Sequence, residues 1–243
     1  MGSEGRVVPV RAASKSTRFA GSHAPASSRA GRWWAWIAAL EAAAAAAAVL
    51  LDLLVPTLVL LAMATGSLLI RRTRLGSLGL HPLGGPGLVG KMLVFAAVWS
   101  LFQLGVTMPL ANHVSGKQQD LSGFDGLEGN LGMLLGLLAL SWTLAAFGEE
   151  LAYRGYLLTR VREAIGPGRV GLVVGVVVSS LLFGLGHTEQ GLIGVVIVTL
   201  DAVAWSILRI HYRTLWASVL AHGFNNTLGF LTFFIVGPVH GLW

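Results

Sequence analysis

The chain has 243 residues, of which 54% are hydrophobic and 12% are charged, with a formal net charge of +6 at pH 7 and no cysteine. Soluble domains usually carry about 25% charged residues, so this composition predicts a polytopic membrane protein. The lack of cysteine excludes disulfides, thiolate metal sites and thiol catalysis.

The N-terminal segment, residues 1–32, is rich in Ser, Ala, Gly and Arg and contains a single acidic residue, Glu4. It has no apolar run that could form a core. We therefore predict that this segment is a disordered, basic cytoplasmic arm.

Seven apolar segments follow the arm. They are residues 33–52, 54–70, 88–110, 131–152, 170–187, 190–208 and 214–236. At a rise of 1.5 Å per residue each can cross a hydrocarbon layer of about 30 Å, although 54–70 is short. The sequence thus predicts an all-α, polytopic transmembrane helix bundle of about seven spans. The range is six to eight, because a re-entrant or kinked hairpin around Asp52 and Pro56 would change the number.

The fourth segment keeps a helical pattern beyond its apolar part, up to the turn Gly166-Pro167-Gly168. We expect it to project from the membrane before it stops there. Glu149 lies about 17 Å from Arg160, and His222 lies about 14 Å from Arg213, so their depths from the basic end are similar. His187 lies about 27 Å from Arg169 by the same rise, which is too deep to join them.

If seven helices thread the membrane from a cytoplasmic N-terminus, nearly all the basic residues of the loops fall on the cytoplasmic side. Among the loops, only Lys117 lies on the other side, in a segment that also carries Asp120, Asp125 and Glu128. Cytoplasmic loops are enriched in Lys and Arg, so we predict a multi-pass protein of the cell (plasma) membrane with a cytoplasmic N-terminus. The lipid bilayer then explains the basic charge, and no nucleic acid partner is needed.

Ionisable side chains within the spans are the candidates for function, because charge at membrane depth is costly and usually faces the protein interior. Glu150 and Arg154 are four residues apart on one helix and can form an ion pair, which predicts a structural role for both. Glu149 is rotated about 100° from Glu150 and has no basic residue three or four positions away. Its partners are expected to be histidines on other helices, and an unpaired carboxylate there suits a general base.

Two further pairs place polar groups on single helix faces. Phe183 and His187 are four residues apart at the end of the fifth span, and His222 and Asn226 are four apart on the seventh. A single histidine in a span is about as often a packed, hydrogen-bonded residue as a ligand. Together with Glu149 on a third helix, however, these groups predict one shared site.

In this order across three helices, the motifs Glu149-Glu150-x-x-x-Arg154, Phe183-x-x-x-His187 and His222-x-x-x-Asn226 resemble those of the CPBP (Abi) family of intramembrane proteases. That family includes the type II CAAX prenyl endopeptidases. The resemblance covers the C-terminal half, residues 131–237, which we predict to be a catalytic transmembrane helix core. Residues 33–110 are then N-terminal transmembrane helices that carry no motif of the family.

The resemblance implies a hydrolase, an endopeptidase that cleaves a peptide or protein substrate at a water-filled site opening to the cytoplasm. Glu149 would activate the attacking water and His187 would help to hold it, while His222 and Asn226 would stabilise the oxyanion or coordinate a metal. Glu150 and Arg154 would support the site. The resemblance leaves two mechanisms open: a metalloprotease with Zn²⁺ held by Glu149, His187 and His222, or a metal-free, glutamate-activated water.

Two functions other than proteolysis remain open. In a membrane transporter, intramembrane Glu, His and Asp side chains would form a relay that includes Asp201, and inverted repeats would be expected, but none is apparent. In a catalytically silent immunity or scaffold protein of the same fold, the full set of Glu149, His187, His222 and Asn226 would not be needed.

Overall fold

The computed structural model describes residues 29–242, and in this range the chain forms seven main helices. They are α1 (Arg29–Leu50), α2 (Pro56–Arg71), α3 (Pro86–Ser115), α4 (Leu131–Ile165), α5 (Arg169–Leu185), α6 (Gly191–Tyr212) and α7 (Leu215–Val236). Each overlaps one predicted apolar segment. The first 28 residues of the predicted arm lie outside the described range, and its last four residues belong to α1.

Five of these helices, α1, α3, α4, α6 and α7, are long and apolar enough to cross a membrane, whereas α2 and α5 are shorter apolar helices. Large apolar side chains point away from the bundle on several of them, for example Leu101, Val173, Ile207 and Ile235. Such surfaces are costly in water and suit lipid. The prediction of an all-α, polytopic membrane bundle is confirmed.

Backbone contacts between loops show that successive helices alternate in direction. At one end, Leu215 donates its backbone N–H to the carbonyl oxygen of Gly79 over 2.8 Å, which joins the loop after α2 to the start of α7. At the other end, Asp120 donates to the Gln190 carbonyl oxygen over 3.0 Å. The loops rich in Arg thus gather at one end of the bundle, as threading of seven helices requires.

The hairpin of α4 and α5 removes the apparent depth mismatch of His187. Gly175 lies so close to α4 that a Cβ atom there would come within 3.0 Å of the Leu158 carbonyl oxygen, so the two helices pack tightly. Glu149 lies 17 residues before Gly166 and His187 lies 19 residues after Gly168. Measured from the turn between the helices, the two side chains are therefore at nearly the same level, and Arg160 was the wrong reference point.

Two segments depart from the α-helical geometry assumed from the sequence. Residues Ser141–Leu157 of α4 and Gln103–Thr107 of α3 form π-helix, in which each N–H bonds to the carbonyl five residues back. Such turns are rare and frequently occur at functional sites. The first segment carries Glu149 and Glu150. The second begins at Gln103, whose side chain donates a hydrogen bond to Asp201.

A network of ion pairs ties α1, α2 and the end of α4 together. The Glu41 carboxylate lies 3.3 Å from Arg71 and 3.2 Å from Arg160, and Glu163 bonds to both arginines. Ser67 adds a hydrogen bond of 2.9 Å to Glu41. Glu41 is thereby compensated within the fold, so its place in an apolar helix has a structural explanation.

The tightest approach of α5 to α6 depends on Gly184. A Cβ atom at this position would collide with the Thr199 hydroxyl and lie 2.7 Å from the Val195 carbonyl oxygen. We expect Gly184→Ala to lower the free energy of unfolding by about 1–3 kcal/mol, because the helices must separate. Thermal unfolding in detergent checks this, with Gly229→Ala as the control, since no atom lies within 4 Å of a Cβ built there. Equal stability of the two variants would contradict the expectation.

Candidate active site

Glu150 and Arg154 lie in the interior of the bundle, and both side chains are completely buried. One guanidinium nitrogen, Nη1 of Arg154, is 3.1 Å from Oε1 of Glu150, so the ion pair expected from the spacing is present. The same carboxylate oxygen also receives Nδ1 of His222 at 3.0 Å. Glu150 therefore joins α4 to α7 as well as pairing within its own helix.

Glu149 is in a different situation from its neighbour. The carboxylate is partly buried and makes no hydrogen bond to another residue in the described range 29–242. It nevertheless lies within electrostatic range of the His187 and His222 rings. The sequence led us to expect a histidine bonded to Glu149, but the histidine of α7 bonds to Glu150 instead, because that carboxylate faces α7.

The hydrogen bonds of the two histidines define their available nitrogens. Nδ1 of His187 is 2.8 Å from the carbonyl oxygen of Phe183, which only accepts, so Nδ1 carries the proton and Nε2 carries a lone pair. Nδ1 of His222 faces the Glu150 carboxylate in the same way. Each ring thus keeps Nε2 for a water, a substrate or a metal.

Phe183 packs at the centre of the site rather than beside it. Its ring centroid is 4.1 Å from the Arg154 guanidinium carbon, 4.8 Å from the His187 ring and 6.1 Å from the His222 ring. A guanidinium over an aromatic face is attracted to the ring electrons. The Phe-x-x-x-His motif therefore supplies both a histidine and the aromatic ring against which Arg154 and the two histidines pack.

Asn226 lies one turn after His222 on α7 and is partly buried. Its side-chain amide donates to the hydroxyl of Ser141 over 3.1 Å. Because a carboxamide carries two N–H groups, a second donor remains. The structure thus brings Glu149 of α4, His187 of the turn after α5 and His222 of α7 close together, whereas the contact of Asn226 is with Ser141, eight residues before Glu149 on α4.

Ser141 and Trp205 are contacts of the site that the sequence did not single out. Ser141 binds Asn226, and Trp205 stacks on the His222 ring with centroids 6.0 Å apart and planes 13° apart. The hydroxyl of Ser141 within an apolar span is only a weak indication of a residue at the site. Trp205 resembled any other aromatic residue of a membrane helix, and nothing in its spacing distinguished it.

The predicted zinc ligands were tested against the donor geometry. In residues 29–242, no group of three or more His, Cys, Asp and Glu side chains is arranged to hold a metal ion. The free Nε2 atoms of the two histidines are suitable donors, but Glu149, His187 and His222 do not form a ligand group as they stand. We therefore derive no step through a metal, and the metalloprotease stays one of the two mechanisms that the resemblance leaves open.

Metal analysis of the purified protein separates the two mechanisms. From the donor geometry we expect substoichiometric zinc, and we expect exhaustive chelation to leave peptide cleavage unchanged. Elemental analysis and cleavage rates before and after chelation are the measurements. Stoichiometric zinc, lost together with activity and restored by added zinc, would instead establish the metalloprotease mechanism.

Comparison with known proteins points to the same part of the chain. A family model described as Rce1-like, type II CAAX prenyl endopeptidase Rce1-like, matches residues 131–228. The match covers less than half of the chain and includes every residue of the site described above. No curated protein and no solved structure matches the chain.

Proposed function

We propose that this chain, whose residues 131–228 form an Rce1-like domain, is an intramembrane endopeptidase in which Glu149 activates the attacking water. The observation that carries the proposal is the difference between two adjacent carboxylates. Glu150 is held by Arg154 and His222, whereas Glu149 is left without a hydrogen bond beside both histidines. A free carboxylate in that position suits a general base.

In the proposed reaction, a water molecule donates one O–H to Glu149 and the other to Nε2 of His187. Its lone pair then faces the substrate carbonyl. Glu149 takes the first proton as the oxygen–carbon bond forms, which gives a tetrahedral intermediate with a negative oxygen. Positioned proton transfer of this kind contributes about 10²- to 10⁴-fold to a rate.

The oxyanion is stabilised by donors from α7. The second N–H of Asn226 is available, and protonated His222 donates from Nε2 while Nδ1 stays bonded to Glu150. The Glu150 carboxylate then compensates the charge of that imidazolium. Collapse of the intermediate breaks the carbon–nitrogen bond, and the proton held by Glu149 passes to the leaving amine. Fixed donors of this kind each contribute about 10²- to 10³-fold.

We place the opening of the site toward the cytoplasm. The distribution of Arg supports this orientation, because it makes the Gly166 end of the bundle the cytoplasmic one. Glu149 lies 17 residues from that turn, about 26 Å at a helical rise of 1.5 Å, so the opening must admit the substrate to that depth. The substrate class is a peptide or protein that reaches this depth in the bilayer.

Reconstitution in liposomes tests the proposal. The wild-type protein should cleave members of a peptide library reconstituted with it, and mass spectrometry should detect the new termini. His222→Ala should lose this cleavage because an oxyanion donor and a contact of Glu150 disappear. His211→Ala, at an exposed histidine of α6, is the control and should cleave like the wild type. Undiminished cleavage by His222→Ala would refute the proposal.

A further inference from the structure

Asp201 lies on α6 and takes no part in the proposed reaction, yet it is tightly bound. Its Oδ1 accepts two short hydrogen bonds from α3, one from Nε1 of Trp99 at 2.6 Å and one from Nε2 of Gln103 at 2.6 Å. Both donors are neutral, and no ion pair joins Asp201 to a basic side chain in the described range. An acidic residue in a span usually has a function, so its place needs an explanation.

The backbone of α3 is adapted to this contact. The π-helical segment of α3 begins at Gln103, and the N–H of Met108 bonds to the Gln103 carbonyl. The Gln103 side chain is buried and reaches Asp201 from this widened turn. Local departures of this kind are frequently found where a side chain must be placed for function.

Asp201 is connected to the active site through aromatic rings. The ring of Trp99, whose N–H is fixed by Asp201, packs against Trp205 with centroids 6.3 Å apart at an angle of 61°. Trp205, one turn after Asp201 on α6, is buried and stacks on His222 at 6.0 Å. Asp201 thus fixes the Trp99 ring. Trp99 packs against Trp205, and Trp205 stacks on His222.

His222 is consequently constrained on three sides. Trp205 packs nearly parallel to the imidazole with the centroids 6.0 Å apart, and Phe183 meets it at a centroid distance of 6.1 Å and an angle of 87°. The third constraint is the bond from Nδ1 to Glu150. A loss of the Trp205 contact leaves the ring free to tilt about that bond, and Nε2 moves away from the reacting oxygen.

We infer that Asp201 is a positioning residue that acts as a hydrogen-bond acceptor and, through Trp99 and Trp205, holds the His222 ring in its working orientation. The effect on cleavage rests on the proposed function, whereas the effect on the ring orientation does not. The role requires an acceptor oxygen and not a negative charge. Asparagine retains that oxygen, so Asp201→Asn should preserve the arrangement and Asp201→Leu should not.

The test combines NMR of the full chain in detergent with cleavage kinetics. Protein labelled at histidine gives the ring signals of His222, assigned by their loss in His222→Gln. Stacking on an indole shifts ring protons upfield, and Asp201→Leu should remove that shift while Asp201→Asn keeps it. In cleavage, Asp201→Leu should lower kcat by roughly tenfold to a hundredfold with KM within a factor of about two, as expected for a misplaced group.

Controls separate positioning from general destabilisation. Asp125→Leu, at an exposed acid outside the spans, should change neither the His222 signals nor kcat. Should Asp201→Leu fail to fold, Trp99→Phe serves in its place, because it removes the N–H donor and keeps an aromatic ring. It should move the His222 signals in the same direction by a smaller amount.

Two results would overturn the inference: unchanged His222 signals in the folded Asp201→Leu or Trp99→Phe variants, or an Asp201→Asn variant as impaired as Asp201→Leu. The second result would show that the charge is what matters. If the wild-type protein cleaves nothing, the proposed function fails, but the NMR comparison still decides whether Asp201 positions His222.

Discussion

Glu149→Gln should reduce peptide cleavage by about 10²- to 10⁴-fold, the range that a positioned general base contributes. Glutamine has the same size and keeps an acceptor oxygen, so water can still bind, but it cannot take the proton. Glu149 makes no hydrogen bond within residues 29–242, so its replacement should leave thermal stability nearly unchanged. Cleavage rates and thermal unfolding of the same preparation are the measurements.

The matched control for this variant is Glu189→Gln. Glu189 is exposed in the short turn Thr188–Gln190 beside His187, and its replacement should leave cleavage at the wild-type rate. A Glu149→Gln variant that cleaves as fast as Glu189→Gln would remove Glu149 from the mechanism.

Arg154→Leu, unlike Glu149→Gln, should greatly lower the stability of the protein. The Arg154 and Glu150 side chains are completely buried, and removing one partner leaves a charge in the interior. Broken buried pairs cost about 3–5 kcal/mol, which thermal unfolding in detergent would detect as a marked decrease in Tm. Arg169→Leu, at an exposed arginine in the first turn of α5, is the control and should unfold like the wild type.

The double variant Glu150→Leu/Arg154→Leu distinguishes the structural role of the pair from its role in the site. Replacement of a whole buried pair by apolar groups is often neutral, so much of the stability should return. Cleavage should stay low, because His222 loses the acceptor that orients its ring. Recovery of both stability and cleavage would show that the contact between Glu150 and His222 is dispensable.

The effect of replacing Asp201 distinguishes an endopeptidase from a transporter. If intramembrane acids formed a transport relay, Asp201→Asn would impair function as much as Glu149→Gln. Its carboxylate instead receives two neutral donors, Trp99 and Gln103, which an asparagine can also bind through its oxygen. The endopeptidase account therefore expects a far smaller effect of Asp201→Asn than of Glu149→Gln.

The helices were predictable because their cause is local. Long apolar segments and the distribution of Arg determine span and threading, and the spacing of Glu150 and Arg154 determines that they can meet. The π-helical geometry of Ser141–Leu157 was not predictable, since the same apolar pattern suits bonds to the fourth or the fifth residue back. The sequence was also correct that Glu149 is the less constrained carboxylate.

The contacts between helices were beyond prediction, because they depend on how one helix is rotated against another. His222 was expected to face Glu149, yet the docking of α7 on α4 brings it to Glu150. The depths of His187 and Glu149 disagreed because Glu149 was counted from Arg160, whereas the turn at Gly166, where α4 ends, sets the level of both side chains. The support from Trp205 arises only when α6 packs on α7.

The most direct test of the account is cleavage in H₂¹⁸O by liposomes that contain the wild-type protein, with Glu149→Gln purified and reconstituted identically. We expect products of the wild-type protein to carry ¹⁸O in the newly formed terminal carboxylate, because water attacks the carbonyl. We expect Glu149→Gln to form such products about 10²- to 10⁴-fold more slowly. Labelled products at equal rates from both proteins, or none from the wild type, would contradict the account.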